Sequence, residues 1–173
     1  MANCYLHGKG VAVNHQQAIN WCKKATDKNY ANPQELLGSL YSIPENKVSN
    51  KAEGYRYFRL AAEKGLPNAQ CFIGMCYARG DLVEHDFSEA IKWFRLAAEQ
   101  NNSSGQYYLG ICYNNGDGVE TNIEEAIKYF RLAAEQNHND AKKDLDLILS
   151  SNNDISIDKY NKKKKKKQKN KII

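Results

Sequence analysis

Arg59-Leu-Ala-Ala-Glu63 returns as Arg95-Leu-Ala-Ala-Glu99 and again as Arg131-Leu-Ala-Ala-Glu135, each time after 36 residues. The same step carries Gly38, Gly74 and Gly110, and also Tyr5, Tyr41, Tyr77 and Tyr113. One aromatic position reads Trp21, Tyr57, Trp93, Tyr129, and the next reads Cys22, Phe58, Phe94, Phe130. No insertion breaks the frame from residue 2 to about residue 149. A constant period of this length signals a stack of one supersecondary unit, each copy burying its apolar face on its neighbours.

The punctuation shows what that unit is. Asn14, Asn50, Asp86 and Asn122 each precede Gln or Glu by three residues, the spacing of a capping box with Asx as the cap. A second series of caps is expected at Asn32, Asn68, Ser104 and Asp140, with Pro33 at a first helical position. Asn29, Gly65, Asn101 and Asn137 form a stop series of residues that tolerate the left-handed conformation. Two starts and a stop per period predict two helices. A shorter helix A is expected at 33–43, 69–79 and 105–115, and a longer helix B at 15–28, 51–64, 87–100 and 123–136. Ala90, Trp93, Phe94, Ala97 and Ala98 give helix B its apolar stripe. Gly74 and Gly110 lie inside helix A, where glycine costs about 1 kcal/mol against Ala. Close approach of a neighbouring helix is the compensating reason. The fold class is therefore all-α, a right-handed α-solenoid of stacked antiparallel helix pairs.

Charge divides the chain. Lys plus Arg number 25 and Asp plus Glu 20, a formal net of +5. Residues 151–173 hold nine Lys and two Asp, which leaves 16 basic and 18 acidic groups on the first 150 residues. A near-neutral body argues against a nucleic-acid-binding face there. The repeats divide into a truncated unit at 1–31, full units at 32–67, 68–103 and 104–139, a capping helix at 140–150 and a disordered basic tail at 151–173. Asp146 falls in the slot of Gly38, Gly74 and Gly110, and a charge fits there only where no further helix closes over it. Residues 1–6 align with the end of a helix A, so the array reads as a fragment, an alternative start or an incomplete gene model.

The pattern resembles Sel-one-like repeats, close relatives of tetratricopeptide repeats. The third full repeat matches through Leu109, Gly110, Tyr113, Gly116, Gly118, Val119, Ala126, Tyr129, Ala133 and Ala134. The second matches through Ala69, Gly74, Tyr77, Gly80, Val83, Asp86, Ala90, Trp93, Ala97 and Ala98, with Leu82 in place of a turn glycine. The first full repeat departs most, with Ile43-Pro44-Glu45-Asn46 in place of the glycine turn. The resemblance implies a non-catalytic adaptor or scaffold that binds a partner peptide or helix. The alternative it implies is the regulatory array of a longer signalling protein, such as a kinase. In the tetratricopeptide relatives helix A lines the concave face. Carried over by phase, the groove would comprise Glu35, Ser39 and Ser42, then Cys71, Met75 and Ala78, then Tyr107, Ile111 and Asn114. Some bacterial relatives carry a cysteine pair in each repeat, a pairing that is missing here.

No catalytic constellation emerges. Cys4, Cys76 and Cys112 share a slot with Leu40, which marks it as core, while Cys71 aligns with Glu35, Tyr107 and Lys143 and is expected to be the accessible thiol. His7, His15, His85 and His138 fall at different phases, as solvated loop residues without metal-ligand spacing. Gly116-Asp-Gly118-Val119 lacks the lysine and strand of a phosphate loop. The Arg59/Glu63, Arg95/Glu99 and Arg131/Glu135 pairs read as solvation of helix B. The chain is expected to be no enzyme, to need no cofactor or metal and no small-molecule substrate, and to be a monomer. Localisation is expected to be cytoplasmic. The run Lys162, Lys163, Lys164, Lys165, Lys166 and Lys167 would be the one contact with nucleic acid or anionic membrane, or a nuclear-import address, against a background of homopolymer drift.

Overall fold

A computed structural model describes residues 19, 20, 22, 35–39 and 50–150. Five helices follow one another as α1 Lys51–Glu63, α2 Pro67–Arg79, α3 Phe87–Glu99, α4 Ser103–Asn115 and α5 Ile123–Glu135. Residues 139–150 add a sixth, α6, and residues 35–39 are also helical. Among the described residues there is no strand. Residues 19, 20 and 22 are helical, with Ile19 and Cys22 buried; the expected caps at Asn14 and Asn32, the rest of helix B at 15–28, the first-repeat turn, Ser42 and the tail with Lys162–Lys167 lie outside the described residues.

Helix B forms within one residue of its expected ends, because its caps are side chains. Asn50 Oδ1 accepts from Glu53 N at 3.1 Å and Asn122 Oδ1 from Glu125 N at 3.1 Å. Asp86 Oδ1 accepts from both Ser88 N and Glu89 N, at 2.8 and 3.1 Å. The stops are as expected: Gly65, Asn101 and Asn137 take φ of 88°, 60° and 65°. Each is followed by a backbone bond reaching across the last turn, from Leu66 N, Asn102 N and His138 N to Ala61, Ala97 and Ala133 O.

Helix A starts two residues earlier than Asn68 and Ser104 suggest. The caps are Leu66, followed by Pro67 at the first helical position, and Asn102, whose Oδ1 accepts from Gly105 N at 2.8 Å. The motif that ends helix B hands the chain directly into helix A, so the junction leaves no room for a separate cap. In α6 His138 holds the equivalent place: Ala141 N donates to His138 Nδ1 at 3.3 Å. His138 is thus a helix cap and not a free loop histidine.

Within a repeat α2 packs on α3 and α4 on α5, while α1–α2 and α3–α4 pack across repeat boundaries, and α2 also touches α4. The glycines of helix A lie under the phenylalanines of helix B. A Cβ on Gly38, Gly74 or Gly110 would stand 2.6, 2.6 or 2.8 Å from the ring of Phe58, Phe94 or Phe130. Phe94 and Phe130 are fully buried through this contact, together with Ile73 and Leu109. Asp146, in the same slot of α6, is exposed.

Candidate functional site

Direct contact between successive A helices decides which of the nine groove residues remain at the surface. Cys71, expected to be accessible, is 4% exposed and packs with Ala90, Phe94, Leu109 and Cys112. Burial pushes its thiol up to about 12. Cys71 therefore belongs to the core, because its phase on α2 faces the next repeat. Cys76 and Cys112 are buried as expected, and desolvation raises their thiols to about 11 and about 12.

Tyr107 is drawn into the same kind of contact. Its ring stacks on His138 with centroids 4.5 Å apart, and its hydroxyl donates to Asp144 Oδ2 at 3.1 Å. Desolvation, reinforced by the Asp144 carboxylate, raises its hydroxyl to about 12. Tyr107 joins α4 to α6 and leaves only part of its surface to a partner, which corrects its expected independence from the packing.

The remaining residues line surface clefts or flank them. Met75 and Ala78 are half-buried against the Cys71 cluster, and Ile111 against the cluster built on Phe130. Ile111 and Asn114 line a cleft of about 280 Å³ with Asn115, Phe130, Asp144, Leu147 and Ile148. Leu147, 66% exposed, forms its outer edge. Met75 lines a second cleft of about 260 Å³ with Phe72, Cys76, Lys51, Arg79, Asp81 and Leu82. Met75 and Ile111 are equivalent by the repeat, as are Arg79 and Asn115; the rest of the two linings differs, the first including Lys51 at the start of α1 and the second Asp144, Leu147 and Ile148 of α6. Asn114 Nδ2 donates to Asn115 Oδ1 at 3.0 Å. Glu35 is half-buried and Ser39 exposed, with Ser39 Oγ donating to Glu35 O at 3.1 Å.

Two polar arrays escape the sequence reading. Gln70 and Gln106 are buried, at 4% and 3% exposure. Gln70 Nε2 donates to Ala62 O at 3.3 Å, and its Oε1 accepts from Gln100 Nε2 at 2.8 Å. Gln106 Nε2 donates to Asn101 Oδ1 at 3.0 Å, and its Oε1 accepts from Gln136 Nε2 at 2.7 Å. The recurrence of Gln34, Gln70 and Gln106 at the repeat period was the available signal. The second array joins Arg59 to the Tyr77 hydroxyl and Arg95 to that of Tyr113, both at 3.3 Å. Arg59 also bonds Glu63 at 2.9 Å and lies 5.3 Å from the centre of the Trp93 ring. These arginines therefore do more than solvate helix B: they tie it to the following helix A.

Among the described residues no group of three His, Cys, Asp or Glu side chains converges to hold a metal, and no helix is long and apolar enough to cross a membrane. No curated protein matches the chain. A solved structure of a protective antigen present in uropathogenic Escherichia coli strains, displaying an SLR fold, is similar at 34% identity and TM-score 0.81, over 87% of this chain and 32% of that one. A Sel1 repeat protein from Oxalobacter formigenes is 32% identical with TM-score 0.77, over 83% of this chain and 59% of that one. Helicobacter pylori cysteine rich protein B is 27% identical with TM-score 0.59, over 76% of this chain and 94% of that one. The chain thus spans 32% and 59% of the first two. Proteins of this fold are typically non-catalytic scaffolds that bind other proteins. The Sel1 repeat matches at residues 1–30, 34–66, 67–102 and 103–138, and the chain belongs to the Sel1 repeat family.

Proposed function

We propose that this chain is a non-catalytic adaptor that seats a segment of a partner protein across its A helices, at the clefts marked by Met75 and by Ile111 with Asn114. The observation that carries the reading is that two clefts, of about 260 and 280 Å³, each open beside a helix A and share the equivalent pairs Met75/Ile111 and Arg79/Asn115 in their linings. Each combines apolar and polar lining side chains, the make-up of an anchor site for a side chain. The arginines and leucines of helix B offer the competing surface, with Leu96 and Leu132 exposed.

Affinity capture with the full chain separates the two faces. Ser39→Arg with Asn114→Arg places bulk and charge on the A-helix row at positions that are exposed or half-buried. Leu132→Arg does the same on helix B. The adaptor reading expects the first variant to lose its captured protein and the second to retain it. The reverse pattern would move the binding face to helix B.

A further inference from the structure

The turn between the two helices of the second full repeat differs from its counterpart in the third, and the difference coincides with a cleft. In the third repeat Gly118, at φ 69°, lies against the start of α3: a Cβ there would stand 2.7 Å from Phe87 Cβ and 3.0 Å from its carbonyl carbon. In the second repeat the equivalent pair is Leu82 and Lys51. Leu82 keeps the left-handed conformation, at φ 71°, although it has a side chain. L-residues other than Asn and Asp rarely adopt it, and such strain gathers where a binding surface requires it. The Leu82 side chain is 47% exposed and lines, with Lys51, the cleft of about 260 Å³.

The lining is sorted by chemistry. Phe72, Met75 and Cys76 form an apolar base from α2. Among the described residues its lining holds two cations, Lys51 and Arg79, and one carboxylate, Asp81. Among the described residues the lining of the cleft at Ile111 holds Asp144 and no cation. Both volumes lie below the usual range of small-molecule sites and suit one side chain each. Two helix-packing steps of roughly 8–10 Å separate α2 from α6. An extended peptide of about six residues spans that distance, and a small carboxylic acid does not.

We propose that the Lys51–Leu82 cleft is a specificity pocket for a peptide segment in which a large aliphatic side chain stands beside Asp or Glu. The aliphatic group rests on Phe72 and Met75 under Leu82, and the carboxylate lies between Lys51 and Arg79. The proposal rests on the reading that the A-helix face receives the partner, and it adds the chemistry of one anchor.

The test titrates the full chain, with Met, Leu and Ile methyl groups labelled for NMR, against acetyl-Ala-Leu-Glu-Ala-amide and acetyl-Ala-Leu-Lys-Ala-amide. The expected result is saturable shifts at the Met75 and Leu82 methyls, with the Glu peptide bound about fivefold tighter, the scale of one partly exposed charge pair. Lys51→Glu should reverse that order. Leu82→Gly should weaken both peptides while the thermal midpoint holds or rises, because glycine relieves the backbone. Equal affinity for the two peptides, or an order unchanged in Lys51→Glu, overturns the pocket. Shifts at Ile111 without any at Met75 and Leu82 also overturn the pocket and leave the adaptor reading standing. Shifts at neither cleft, combined with capture that survives Ser39→Arg and Asn114→Arg, overturn both.

Discussion

The side-chain amide of Gln136, at the end of α5, donates to the buried Oε1 of Gln106 in α4 at 2.7 Å. Gln100 repeats the contact on Gln70 at 2.8 Å. Each pair links the end of a helix B to the helix A before it and satisfies a carbonyl that water reaches poorly. At the start of α6 Lys142 takes the place of Gln106 and donates to Asn137 Oδ1 at 3.2 Å.

Gln136→Ala is expected to cost about 1–3 kcal/mol, the penalty of leaving the Gln106 oxygen unpaired. Gln106→Leu with Gln136→Ala removes both partners and should cost less than the sum of the single changes. Urea denaturation of the three variants measures the coupling. Strict additivity would show that the pair has no role in joining the helices.

Gly110→Leu is expected to destabilise by about 1–3 kcal/mol or more, since the added side chain must displace a fully buried ring. A Cβ at Gly110 already falls 2.8 Å from Phe130. Asp146→Leu, in the exposed equivalent slot of α6, should change stability little. Melting curves that fall equally for both would show that the α6 slot is covered in solution.

Cys71, Cys76 and Cys112 are expected to resist a thiol reagent in the native state near neutral pH and to react after unfolding. Burial raises them to about 12, 11 and 12 from an ordinary value of 9.0. Because the folded values lie above the unfolded one, the stability they contribute is complete below about pH 9 and declines as pH rises toward the folded values. Stopped labelling followed by peptide mapping reads each site. Rapid native labelling of Cys71 would return it to the surface.

Deleting residues 151–173 is expected to leave the melting temperature of the repeats nearly unchanged. The deletion removes nine Lys and two Asp. Retention on heparin at low salt should be lost with them, and in the full chain it should weaken as salt rises. A truncated chain that still binds heparin would place the basic site on the repeats.

The sequence alone determined the repeat, the two helices within it and the buried stripe of helix B. Those features are written in local chemistry: Asx caps at Asn50, Asp86 and Asn122, left-handed stops at Gly65, Asn101 and Asn137, and an Ala–aromatic periodicity that has one folded solution. The pairing of Gly74 with Phe94 and Gly110 with Phe130 was legible as a need for close approach. Tertiary structure alone decided which helix A residues stay at the surface. Phase assigns Cys71, Met75, Tyr107 and Ile111 alike to the outward side of helix A, but the distance between successive A helices closes over Cys71, ties Tyr107 to Asp144 and leaves clefts at Met75 and Ile111. The glutamine pairs followed the same rule, because a polar side chain reads as surface until its partner arrives from a helix 30 residues away. Packing between elements is set by the sum of side-chain volumes on both, which no single position of a repeat encodes.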